Sequence, residues 1–245
     1  MNKPVLTVCL NPTFQRTVVL EKLKSGEVNR AAAARLDASG KGINVSRVLH
    51  QLGVEAVHLT HLTSQHTERE AFLSLCRADN LNVVWEESPS QIRTCITLLN
   101  KEERSTTEII EPTQPVDSST ASAIRRSFSR ELKRAGRVVL SGSRAPGYPD
   151  DLFAHFCMEA REAGVPVLAD FRGEDLRKAL EYGPEVIKIN LVEFCATFLP
   201  ESEVSEADDR DVLETVEREL QKLSEGESSF VLTRGSREVL CARKG

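Results

Sequence analysis

Hydrophobic and polar positions alternate along this chain with two periods, and the period changes often. Val5 to Leu10 is a continuous apolar run closed by Asn11-Pro12, the pattern of a buried strand ending in a turn. Arg16–Leu20 and Arg30–Leu36 read as further strands. From Leu36 to Arg47 the chain passes through a glycine-punctuated turn into an amphipathic helix. There Val45, Val48, Leu49 and Leu52 recur at helical spacing, and Gly53 stands where a C′ glycine would end the helix. Val54–Leu62 is a second core strand, Glu68–Asp79 a helix and Leu81–Trp85 a strand. Ile92 to Leu99 and Thr106–Ile110 pair through the polar turn Asn100-Lys101-Glu102-Glu103.

Beyond this point strands and helices alternate. A helix over Ser119–Ala135 carries one stripe of Ala121, Ile124, Phe128 and Leu132. A strand follows at Arg137–Leu140, then a helix at Asp151–Ala163 and a strand at Val165–Asp170. Helix Glu174–Tyr182, strand Val186–Ile189, helix Asp208–Ser224 and strand Phe230–Thr233 complete the series. Such alternation is the sign of an α/β fold, a parallel sheet flanked by helices. Ligands of such sheets bind at the carboxyl ends of the strands.

Composition narrows the function. The chain has 245 residues, enough for one α/β domain with a substantial core. A formal net charge of −5 argues against an electrostatic nucleic-acid partner. No apolar run approaches membrane-spanning length, so no membrane partner is expected. Met1-Asn2-Lys3-Pro4 leads into a strand without a secretory h-region, so a cytoplasmic location is expected. The six cysteines are scattered, most of them in apolar segments, as reduced buried thiols are. His58 and His61 sit at odd separation in a strand, which turns them to opposite faces and disfavours a shared metal.

The richest chemistry lies at Ser39-Gly40-Lys41-Gly42-Ile43-Asn44. Gly40 and Gly42 remove side-chain bulk, so backbone N–H groups can approach a polar ligand, and a helix N-terminus behind them favours negative charge. Lys41 and Asn44 add a cation and an amide. The turn is not a Walker A loop, because Lys41 is followed by Gly42. It is not a dinucleotide fingerprint either, because Val45 stands where the third glycine belongs.

Gly40-Lys41-Gly42-Ile43-Asn44-Val45-Ser46-Arg47 resembles the first signature of the PfkB (ribokinase-like) carbohydrate kinases. It is closest to the phosphosugar branch that holds 1-phosphofructokinase and tagatose-6-phosphate kinase, with Ser39 replacing a glycine. Gly26-Glu27-Val28-Asn29-Arg30 is similar to the same branch. The resemblance implies one ribokinase-like domain over residues 1–245 with a small β lid from segments of about 12–37 and 91–112. It also implies ATP and Mg2+ as cofactors, a sugar phosphate as substrate and a homodimer through the lid. By the same resemblance Gly40, Lys41, Gly42 and Asn44 hold the sugar, and Arg93 holds its phosphate, a task for which a planar guanidinium is suited. Gln15 stands where the family has an aspartate that hydrogen-bonds sugar hydroxyls. Thr63-Ser64-Gln65-His66 stands where it has a Gly-Gly turn.

Further matches fall on the later strand ends. Ser141-Gly142-Ser143-Arg144-Ala145-Pro146-Gly147 resembles Ser-Gly-Ser-Leu-Pro-Pro-Gly, and Lys188-Ile189-Asn190-Leu191-Val192-Glu193 resembles Lys-Pro-Asn-x-x-Glu. The latter implies that Asn190 and Glu193 serve Mg-ATP, with Glu193 acting on the ion indirectly. Lys188, Thr233 and Gly235 would serve the nucleotide. Asn190 and Glu193 equally fit a helix N-cap and its partner three residues on. The family's second signature, Gly-Ala-Gly-Asp with the catalytic base, is expected after the strand following Cys241, and the sequence ends at Gly245 before it. One reading is therefore a C-terminally truncated kinase that would phosphorylate a ketose phosphate, such as fructose 1-phosphate at its 6-hydroxyl, with no catalytic residue assigned. The other is a non-catalytic sugar-phosphate-binding pseudokinase or decaying fragment.

Overall fold

The structure, a computed structural model, describes residues 3–201 and 212–243. Among these, the strands are β1 (Val5–Cys9), β2 (Thr13–Leu20), β3 (Ala33–Ser39), β4 (Ala56–Thr63), β5 (Asn82–Ser88), β6 (Arg93–Asn100), β7 (Ser105–Ile110), β8 (Arg137–Ser141), β9 (Val167–Asp170), β10 (Val186–Asn190), β11 (Ser229–Thr233) and β12 (Leu240–Ala242). The helices are α1 (Lys41–Gln51), α2 (His66–Ala78), α3 (Ser118–Leu132), α4 (Leu152–Glu162), α5 (Glu174–Leu180), α6 (Leu191–Phe198) and α7 (Leu213–Ser224). The first residues of the helix expected over Asp208–Ser224 lie outside the described residues. Strand β12 was not foreseen; three residues are too few to show a period.

Hydrogen bonding orders the strands into a mostly parallel sheet, β12-β11-β10-β9-β8-β1-β4-β5, and a separate four-stranded sheet, β3-β2-β6-β7. Only β12 is antiparallel among the described pairs of the large sheet, lying beside β11. The chain divides into two compact units, one of residues 1–8, 125–143 and 149–245, the other of residues 9–124 and 144–148.

In the first unit the strand centres are continuous apolar runs because helices cover both faces of a parallel sheet. Val138, Leu140, Ala169, Ile187, Ile189 and Leu232 are almost wholly buried. Phe128 of α3 stacks on Phe156 of α4 at 3.9 Å, and Phe153 on Phe171 at 4.5 Å. The part of the expected α3 stripe that belongs to this unit, Phe128 and Leu132, is buried, as are Ala121 and Ile124 in the second unit.

In the second unit Phe14, Ala38, Ile43, Leu62, Phe72, Cys76, Leu81 and Ile92 form one cluster, with Phe14 meeting Phe72 edge-on at 5.4 Å. Helix α1 departs from its expected orientation here. Its buried residues are Gly42, Ile43 and Ser46, whereas Val48 is 52 % and Leu52 71 % exposed. The helix is seated by its first turn, where Ile43 enters the Phe14–Phe72 cluster. That contact sets the rotation of the whole helix against the wider apolar stripe.

Candidate functional site

The substrate residues named from the sequence all fall in the second unit, and sheet register brings several of them together. Thr13, the first residue of β2, pairs with Ser39 at the end of β3 and with Arg93 at the start of β6. Arg93, Thr13 and Ser39 therefore form a row across three strands, and the chain leaves that row directly into Gly40 and α1. Thr13 locks it by donating its hydroxyl to the Arg93 carbonyl at 2.9 Å.

Gly40 takes φ +128°, a backbone region that L side chains avoid, and an added Cβ there would lie 2.7 Å from Cys9 Sγ. The backbone N–H groups of Asn11 and Gly42 both donate to that buried thiol, which also lies within the field of the Arg93 charge. Burial is the largest influence on Cys9 and pushes its thiol up from the ordinary cysteine range, so it remains a neutral acceptor under the turn. The sequence offered no signal for this role beyond an apolar cysteine before Asn-Pro.

At the N-terminus of α1, Gly40 supplies no side-chain cap and the first turn holds no acidic residue. The Gly42 N–H is turned inward to Cys9, so the remaining leading N–H groups and the positive end of the helix dipole are what the turn offers an anion. Arg93 contributes a buried Nε with no hydrogen-bond partner, a costly state for a guanidinium unless a ligand completes it. Asn44 is oriented from behind: Arg47 Nη1 donates to its Oδ1 at 2.7 Å. Arg47 also donates through Nη2 to the Ala38 carbonyl at 2.8 Å and through Nε to Asp79 at 2.9 Å. The Asn44 amide N–H2 is thereby the end presented as a donor. Gln15 lies on β2, opposite Asp37 on β3, and its Nε2 donates to Thr97 Oγ1 at 2.7 Å. Lys41 is exposed at the head of the helix.

Beneath these groups, Tyr148 Oη and His61 Nδ1 are 2.8 Å apart in the interior. Burial drives the His61 pKa down to about 4 and that of His58 down to about 3, so both imidazoles are neutral.

The nucleotide residues named from the sequence fall in the first unit, at the carboxyl ends of its parallel strands. Ser141 pairs with Asp170 in register, and Asn190 with Thr233. Lys188 reaches Asp170 at 3.7 Å, and the Ser141 hydroxyl donates to the same carboxylate at 3.4 Å. Gly235 turns the chain at φ +60° with open space where a side chain would be, so the backbone there is approachable.

Asn190 and Glu193 form a complete capping box on α6. The Glu193 N–H donates to Asn190 Oδ1 at 2.8 Å, and the Asn190 N–H donates to Glu193 Oε2 at 3.4 Å. The two residues therefore fulfil their structural reading, and any service to Mg-ATP is additional to it. Among the described residues no cluster of three or more His, Cys, Asp or Glu side chains could hold a metal ion directly. A magnesium ion arriving with nucleotide phosphates and its own waters fits this donor set better than an all-protein cage.

Comparison with known proteins gives the family and the fold. The model of the pfkB family of carbohydrate kinases matches residues 10–245. A possible 1-phosphofructokinase from Thermotoga maritima is 25 % identical, with a TM-score of 0.83 over 98 % of this chain and 74 % of that one. Phosphofructokinase-2 from Escherichia coli, in complex with fructose-6-phosphate, is 20 % identical with a TM-score of 0.81, over 99 % and 77 % of the two chains. Arabidopsis thaliana ribokinase, complexed with ribose and ATP, superposes with a TM-score of 0.68 at 17 % identity, over 100 % and 76 %.

Proposed function

Since this chain belongs to the pfkB family of carbohydrate kinases, we propose that it binds a ketose phosphate and Mg-ATP and transfers a phosphoryl group to the sugar, with fructose 1-phosphate accepting at its 6-hydroxyl. One observation carries the choice of a phosphorylated sugar. What supports it is that Arg93, with an unpartnered buried Nε, shares a cross-strand row with Ser39, the residue before the glycine turn and the uncapped N-terminus of α1. Two independent features of that corner favour the same dianion.

In this reading Arg93 holds the phosphate already on the sugar. The backbone of Gly40 and Gly42, with Lys41 and Asn44, holds the sugar itself, and Gln15 accepts from a hydroxyl. Lys188, Asn190, Glu193, Thr233 and Gly235 serve the nucleotide, with Glu193 acting on magnesium through water. The ion would offset charge on the transferring phosphoryl group, while these residues position it. None of the described carboxylates is assigned as the base that takes the proton from the accepting hydroxyl.

The four-stranded sheet is the proposed lid and homodimer contact. Leu36, Arg16, Ile96 and Ile109 form one cross-strand row on it, and Leu36 is 38 % and Ile109 51 % exposed. Half-exposed aliphatic residues in a row suit a second copy of the sheet.

Calorimetric titration with fructose 1-phosphate and a coupled assay of ADP release test the reading together. Binding with ADP release supports a kinase. Binding without it reduces the protein to a sugar-phosphate binder, and no binding of any ketose phosphate overturns the proposal.

A further inference from the structure

On the opposite face of the four-stranded sheet, polar side chains from two adjacent cross-strand rows are joined by hydrogen bonds from Gln15 through Thr97 to Glu108. Asp37 on β3 is the register partner of Gln15 on β2, and Glu108 on β7 is the register partner of Thr97 on β6. Gln15 Nε2 donates to Thr97 Oγ1 at 2.7 Å, and Thr97 Oγ1 lies 3.4 Å from Glu108 Oε1 as a donor.

The direction of this relay follows from proton counting. A threonine hydroxyl has a single proton, and an ionised carboxylate can only accept. With its proton directed at Glu108, Thr97 accepts from Gln15, and the 2.7 Å contact turns the Gln15 carboxamide with its N–H2 toward Thr97 and its Oε1 away. A glutamine without such a constraint can flip and offer either end to a ligand. A carboxylate at the same position needs no constraint, because both its oxygens accept.

We propose that Thr97, backed by Glu108, is a positioning residue that fixes the Gln15 carboxamide as a hydrogen-bond acceptor for a sugar hydroxyl. The proposal rests on the sugar-phosphate reading above and deepens it. It explains how an uncharged amide takes over a task for which a carboxylate is otherwise suited, and it assigns specificity to two residues that need not touch the ligand.

The test has two readouts on the full chain. The first is the NMR signature of the Gln15 side-chain N–H2 without ligand. Thr97→Val should shift these resonances and speed their exchange with solvent, and Thr97→Ser should leave both close to their original state. The second is affinity for fructose 1-phosphate. Thr97→Val should weaken it about five- to tenfold, the worth of one oriented hydrogen bond, and Thr97→Ser should recover it to within about twofold. In a Gln15→Ala background Thr97→Val should cost nothing more, because its effect runs through Gln15. An unmoved Gln15 signal, unchanged affinity in Thr97→Val, or an equal further loss in the Gln15→Ala background overturns the proposal. A wild-type protein that binds no ketose phosphate while the Gln15 signal responds to Thr97→Val overturns the sugar-phosphate reading and leaves the relay a structural feature only.

Discussion

Gly40 lies directly over the thiol of Cys9, so closely that a Cβ on the glycine would stand 2.7 Å from Sγ. The same thiol accepts from the Gly42 N–H, which joins the floor of the turn to the first turn of α1. The glycine is needed twice, for its positive φ and for this contact.

Gly40→Ala should therefore destabilise the protein by about 2–4 kcal/mol, combining backbone strain with overpacking. Adding Cys9→Ala should recover only the steric part. Urea midpoints of the two variants measure the split, and a double variant as stable as wild type would show that the φ of Gly40 carries no strain.

Arg93 should show the opposite balance of stability and binding. Its buried Nε has no partner, so Arg93→Met should leave the unfolding midpoint unchanged or raised. Affinity for a ketose phosphate should meanwhile fall by about two orders of magnitude, the loss of a charge-assisted bidentate contact. Arg93→Lys should fall between, about tenfold weaker than wild type. Equal affinities across the three proteins would remove Arg93 from the site.

At α6 the capping and nucleotide roles can be separated. Glu193→Gln retains a capping-box side chain while deleting the charge, so stability should change by less than about 0.5 kcal/mol. Asn190→Ala removes the cap and should cost about 1 kcal/mol. If Glu193 serves magnesium, Glu193→Gln should raise the magnesium concentration needed for half-maximal ATP binding, and Asn190→Ser should not. A Glu193→Gln protein with normal magnesium dependence would leave the residue as a helix cap.

Two buried imidazoles make stability depend on pH. His58 and His61 titrate in the folded protein at about 3 and about 4, against an ordinary 6.5, because burial disfavours the charged ring. The unfolded chain takes up these protons first. Stability from the two rings is therefore complete well above pH 6.5 and is lost as pH falls through 6.5 toward about 4 for His61 and about 3 for His58, at up to roughly 1.4 kcal/mol per unit for each ring. Urea unfolding at pH 7.5 and pH 5.0 should show the decline. His61→Gln, which can still meet Tyr148, should make it shallower, and an unaltered slope would assign the effect to other groups.

Much of this protein was legible in its sequence because it depended on short-range pattern. The alternation after Ser119 determined the parallel sheet, since a strand buried on both faces must be a continuous apolar run. The α3 stripe and the Asn190–Glu193 cap were equally visible, because both are settled within one or two helical turns. Gly40 and Gly42 were visible too, as a glycine-punctuated turn running into the first turn of α1.

Tertiary structure decided what depended on residues far apart in the chain. The alignment of Arg93 with Ser39, just before the Gly40 turn, is a consequence of register across β6, β2 and β3, and register is chosen by whole strands rather than by either residue. The rotation of α1 was set by Ile43 entering a cluster with Phe14 and Phe72, which outweighed the wider stripe of Val48 and Leu52. The place of Cys9 beneath the glycines, and of Thr97 and Glu108 behind Gln15, follows from strand pairing that no local propensity encodes. Periodicity reports which face of an element is apolar. Only the folded chain determines what each face meets.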